Sequence, residues 1–98
     1  MTILVRIPTP LRKITQGQDK AEIEAASIGE LIDNLDKQFE GFKNRLLDDE
    51  GKLKEFINIY LNGEDIRFLN GLETVTESRD EVSIVPAVAG GWYWLDFL

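Results

Sequence analysis

Cysteine and histidine are both missing from these 98 residues, and methionine occurs only once. Without cysteine there are no disulfides and no thiol chemistry, and nothing points to an oxidising compartment. Without histidine as well, the usual general bases, soft metal ligands and activated nucleophiles are gone. Carboxylates remain, but they are scattered over polar faces and turns such as Asp48-Asp49-Glu50, and no pair stands out for hydrolysis. Neither an independent enzyme nor a bound metal or cofactor is expected.

Basic residues are also scarce. Eleven Lys and Arg stand against eighteen Asp and Glu, a net charge of −7. Nucleic acid is therefore not an expected partner, because phosphate backbones need a basic footprint. The acidity permits steering toward a basic protein surface, and it equally suits a plain soluble one. No apolar run approaches the roughly 20 residues that span a bilayer, so no membrane is expected either. Met1 to Ile7 shows no basic region followed by an apolar stretch, so no secretion signal is read there and the cytoplasm is the expected location.

The rest of the composition, 43% hydrophobic and 30% charged, is that of a single globular domain. A chain of this size buries roughly 60–65% of its unfolded surface, enough for one modest core. Thr2 to Ile7 alternates Ile3, Val5 and Ile7 against Leu4 and Arg6, the pattern of a strand with one buried face. Pro8 and Pro10 stop its ladder bonding. Lys20 to Ala25 alternates again, a second strand returning through a loop around Gln16-Gly17-Gln18. Ser27 with Glu30 forms a capping box, and Ile28, Leu31, Ile32, Leu35 and Phe39 follow helical spacing. The expected helix spans 28–40 and stops at Gly41; its apolar stripe is read as core.

Phe42 to Leu47 reads as a turn or 3₁₀ segment. Glu55 to Leu61 is a third strand, with Phe56 and Tyr60 given no role beyond sheet packing. Asn62-Gly63 is a hairpin signal of the type I′ kind. A returning strand is expected to continue through Ile66 and Phe68, followed by turns at Asn70-Gly71 and Glu77 to Asp80. Glu81 to Val88 is the last strand, with Val82 and Ile84 inward and an interruption near Pro86. Val85 and Ala87 are either an exposed docking face or core. Arg67 and Arg79 read as solvated charge, with contact to a partner's acidic patch as the sharper alternative. The order β-β-α-β-β-β predicts an α+β fold of the β-grasp kind, a mixed sheet of four to five strands packed on one main helix, with the first and last strands parallel.

The chain closes on Val88-Ala89-Gly90-Gly91 and then Trp92-Tyr93-Trp94-Leu95-Asp96-Phe97-Leu98. These hold the one adjacent glycine pair, both tryptophans and four of the nine aromatic residues. Either the glycine pair is a chemically used end inside a precursor, or the heptapeptide is a contact element. By residue type, Trp92, Trp94, Phe97 and Leu98 are the anchors of such a contact. The same residues also suit a segment that folds back on its own domain or self-associates to hide apolar surface.

The segments Val5-Arg6-Ile7-Pro8-Thr9 with Leu11-Arg12, Phe56 to Asn62, Glu64 to Phe68, Gly71-Leu72 and Asp80 to Gly91 resemble the ubiquitin-like sulfur carriers of the MoaD/ThiS kind. Within that family they look closest to the carriers that serve cysteine biosynthesis; carriage for molybdopterin, thiamine or another thio-product is the alternative. The resemblance implies that Gly91 carries sulfur as a C-terminal thiocarboxylate, with Gly90 and Ala89 as the slim tail that threads the activating enzyme. It implies three partners: an E1-like adenylyltransferase that consumes ATP, a sulfur-accepting enzyme such as a cysteine synthase, and a JAMM-type metalloprotease. The last is implied because seven residues follow Gly91, and a peptide bond offers no carboxylate to adenylate. The expected organisation is a carrier domain over 1–91 and an extension over 92–98, cut between Gly91 and Trp92 or masking the tail.

Overall fold

A computed structural model describes residues 2–86. Thr2–Arg6 forms β1 and Lys20–Glu24 forms β2, paired antiparallel with Ile3 opposite Ile23 and Val5 opposite Ala21. The alternation expected for both strands is present: Ile3, Val5, Ala21 and Ile23 are buried, while the intervening side chains are exposed or half-buried. The loop between them bends back at Gln16 (φ 59°) and Gly17 (φ 88°). Thr15, fully buried there, donates its hydroxyl to the Gln18 carbonyl at 2.8 Å, so the polar group is not stranded.

Helix α1, Ile28–Gln38, opens on Ser27, whose Oγ accepts from the Glu30 N–H at 3.2 Å. Ile28, Leu31, Ile32 and Leu35 are all buried against the sheet. The helix ends two residues earlier than expected. Phe39 leaves helical geometry at φ −129° and ψ 90° yet stays in the core, 8% exposed. Gly41, at φ +95°, then starts a second short helix, α2 (Phe42–Leu46), where the sequence predicts a turn or 3₁₀ segment. Two interactions explain it. Asp36 Oδ1 accepts from the Gly41 and Lys43 N–H groups at 3.2 and 3.0 Å, satisfying donors that a helix start leaves free. Phe42 and Leu46, one turn apart, are both fully buried.

Ile57–Leu61 is β3, Glu64–Asp65 is β4 and Glu81–Pro86 is β5. The turn between β3 and β4 places Asn62 at φ 51° and Gly63 at φ 87°, the two positive angles of a type I′ turn. The expected continuation of the returning strand through Ile66 and Phe68 does not occur. Asp65 Oδ1 takes the Arg67 N–H at 2.8 Å, and Ile66–Phe68 coils into a 3₁₀ turn. A local side-chain acceptor has outcompeted the ladder. Ile66 is thereby buried and Phe68 is left 85% exposed.

The sheet order is β2-β1-β5-β3-β4. β1 and β5 run parallel, with Val5 opposite Val82, and β5 pairs antiparallel with β3, Ile84 opposite Ile59. This is the β-grasp arrangement expected from the element order: a mixed sheet with helix α1 across one face. The last strand therefore lies in the middle of the sheet, held on both sides.

Candidate functional site

Everything expected to carry chemistry lies downstream of β5, so the site is built from how the described part of that strand is held. Its start is pinned by Asn62, which follows β3. The Asn62 amide donates to Asp80 Oδ1 at 3.0 Å, its side-chain oxygen accepts from the Glu81 N–H at 2.9 Å, and its backbone N–H donates to the Glu81 carbonyl at 2.8 Å. Asp80 Oδ2 in turn accepts from the Glu77 N–H at 2.7 Å, closing the turn in which Arg79 sits at φ 74°.

Along β5, Val82 and Ile84 point into the core, as expected, and Glu81, Ser83 and Val85 lie on the opposite face. Glu81 bonds Arg6 of β1 at 2.6 Å. That hydrogen bond, opposed by desolvation and aided by the charges of Arg6 and Lys20, holds the Glu81 carboxyl below its usual value; the same bond raises Arg6. Val85 is 41% exposed, which decides its open reading in favour of surface rather than core.

Pro86, the last described residue, stands opposite Ile57. Arg67 fastens this end of β3. Its guanidinium donates to Asn58 Oδ1 at 2.6 Å and to the Lys54 and Ile57 carbonyls at 3.0 and 2.8 Å. Arg67 is exposed, as expected of a surface charge, and its guanidinium also clamps this stretch, a role that its sequence neighbours do not reveal. Beside it, Phe56 occupies the turn that enters β3 and is 46% exposed. Its reading as mere sheet packing is corrected, because the Lys54–Ile57 turn places it before the ladder begins.

Among the described residues no group of three or more Asp or Glu could hold a metal ion, and no helix is long and apolar enough to cross a membrane. The open depression lined by Asn44, Leu47, Asp48, Asp49 and Lys54 has Asp48 Oδ1 already engaged by the Glu50 and Lys52 N–H groups. Ala87, Ala89, Gly90, Gly91, Trp92, Trp94, Phe97 and Leu98, with the proposed cut between Gly91 and Trp92, lie outside the described residues.

The sequence model of the ThiS family matches residues 5–91, ending on Gly91. The chain belongs to the ThiS family. The sulfur carrier protein CysO of Mycobacterium tuberculosis (strain ATCC 25618 / H37Rv) is 44% identical over 93 residues, covering 93% of this chain and 100% of the relative. In the crystal structure of the Amycolatopsis orientalis BexX/CysO complex, the matched chain is 45% identical with a TM-score of 0.85, covering 91% of this chain and 99% of that one. The crystal structure of Mycobacterium tuberculosis CysO gives 42% identity and a TM-score of 0.84, over 88% and 99% respectively. This ThiS-family chain is thus similar to the sulfur carrier protein CysO over that relative's whole length.

Proposed function

We propose that Gly91 is the sulfur-carrying residue and that a cut between Gly91 and Trp92 makes it so. The observation that carries this reading is the family match, which ends on Gly91 and leaves Trp92–Leu98 beyond it. While Gly91 is joined to Trp92 its carbonyl belongs to an amide, and no oxygen is free to attack a phosphorus. Hydrolysis by a JAMM-type zinc metalloprotease supplies the carboxylate. Residues 1–91 are then the carrier domain and 92–98 a removable extension.

The chemistry that follows belongs to partners. A carboxylate oxygen of Gly91 attacks the α-phosphorus of ATP held by an E1-like adenylyltransferase, and pyrophosphate leaves. Hydrosulfide then attacks the acyl-adenylate carbonyl and displaces AMP, so one carboxylate oxygen departs with the nucleotide and sulfur takes its place. The thiocarboxylate passes its sulfur to an accepting enzyme such as a cysteine synthase. The chain itself acts in the cytoplasm as a protein substrate, with no resident cofactor.

The fold contributes reach and rigidity. β5 is anchored to Pro86, and the five residues 87–91 extend at most about 18 Å beyond it. That is long enough to enter a partner's active site while the domain stays outside. Ala89, Gly90 and Gly91 keep the approach slim, since a glycine carries no Cβ to meet a channel wall. Incubating the 98-residue protein with the cognate metalloprotease and weighing the product tests the cut. A product ending at Gly91 is expected, and persistence of the full mass overturns the proposal.

A further inference from the structure

The domain leaves apolar surface bare at one place that matters for the tail. Val85, 41% exposed, lies on the outer face of β5 and pairs with Asn58, one residue before the described residues end at Pro86. Phe56, 46% exposed, precedes Ile57, the residue opposite Pro86. Arg67 grips Asn58 and the Ile57 carbonyl at this same end, and the residue after it, Phe68, is 85% exposed. Two apolar side chains, Val85 and Phe56, are thus exposed beside the last described pairs of β5 and β3.

We propose that Trp92–Leu98 folds back onto this end of the described sheet and covers Val85 and Phe56. Length permits it: the six steps from Pro86 to Trp92 span at most about 20 Å, and the heptapeptide adds up to about 25 Å. The Gly90-Gly91 pair supplies a reversal point, because glycine adopts positive φ without steric cost. Chemistry matches: two tryptophans, a tyrosine and a phenylalanine each carry roughly 150–250 Å² of surface to bury. Mass action selects the occupant. A segment tethered by a short linker sees its own domain at an effective concentration in the millimolar range, whereas a second copy of the chain in a dilute solution is present at micromolar levels. A weak contact therefore forms within one molecule before it forms between two.

The contact itself rests on exposed Val85 and Phe56 and on the tether. Its consequence rests on the proposed cut after Gly91: one hydrolysis frees the carboxylate and also uncovers the apolar end of the sheet. The uncut chain is then doubly silent, unable to be adenylated and closed to partners that read this end of the domain.

Both tryptophans of the chain lie in the heptapeptide, so intrinsic tryptophan fluorescence reports on it alone. In the full-length protein at low micromolar concentration, emission should be shifted to the blue of the free Trp92–Leu98 peptide, and quenching by acrylamide should be weaker. The double variant Val85→Asp, Phe56→Ser changes exposed positions, and its fold is checked by circular dichroism. It should return both readings to those of the free peptide. Emission of the full-length protein that coincides with the free peptide overturns the proposal, as does a blue shift that survives the double variant. So does a blue shift that fades on dilution together with a dimer mass, since the occupant is then a second copy. The cut is read separately by mass, so failure of cleavage leaves the contact standing and failure of the contact leaves cleavage standing.

Discussion

Arg6 Nε and Glu81 Oε1 meet at 2.6 Å across the parallel junction of β1 and β5, joining residues 75 positions apart. Both side chains are about half exposed, so the pair is screened by salt and adds little to global stability. Its pH signature is nevertheless defined. Glu81 is lowered in the folded state, chiefly by its hydrogen bond to Arg6. Its contribution is complete above the ordinary carboxylate value of about 4.3 and is lost as pH falls through the lowered folded value. An NMR titration of the Glu81 carboxyl should therefore give a midpoint below that of a model glutamate, and Arg6→Gln should move it back up. An unshifted midpoint in the parent protein contradicts the pairing.

Gly63 at φ +87° has no atom within 4 Å of where a Cβ would stand. Gly63→Ala therefore tests backbone conformation alone. The left-handed geometry should cost about 1 kcal/mol, read as a lower urea midpoint with an unchanged slope. An unchanged midpoint means the turn accepts a different geometry.

Among the described residues Phe42 is the largest fully buried side chain, and it stands on a helix of five residues. Phe42→Ala should cost about 3–5 kcal/mol, a large share of the roughly 5–15 kcal/mol that stabilises an ordinary domain. Thermal unfolding followed by circular dichroism measures it. A loss below about 1 kcal/mol implies that α2 is not part of the core.

Arg67 makes its three bonds with a planar fork that reaches two carbonyls and an amide oxygen. Lysine has one compact ammonium and cannot span them. Arg67→Lys should thus lose nearly as much as Arg67→Met, about 1–2 kcal/mol, with faster amide exchange at Ile57 and Asn58. Full retention of stability by Arg67→Lys argues that charge alone is at work.

These comparisons show which parts of the molecule speak locally. Ser27 with Glu30, the Asn62-Gly63 pair and the alternation of Ile3, Val5 and Ile7 are short-range signals, and each element stands where they predict. β4 is shorter than its hydrophobic pattern suggests because the Asp65 carboxylate captures a backbone N–H, a competition invisible to periodicity. α2 escapes detection because its cap comes from Asp36, on the preceding helix. The role of Arg67 depends on its reaching back to Lys54, Ile57 and Asn58, and the exposure of Phe56 on the Lys54–Ile57 turn, neither of which the alternation of the strand reveals. The Gly90-Gly91 pair is the reverse case. Its sequence context carries the reading, and the described fold supplies only the anchored strand from which it extends.

The central claim is that Gly91 carries sulfur only when it is the last residue. The most direct measurement is the intact mass of the protein after incubation with the activating enzyme, ATP and sulfide, run on the 98-residue chain and on a chain ending at Gly91. The account predicts that the shorter chain exchanges one oxygen for one sulfur while the longer keeps its mass. Conversion of the full-length chain, or no conversion of the chain ending at Gly91, would contradict it.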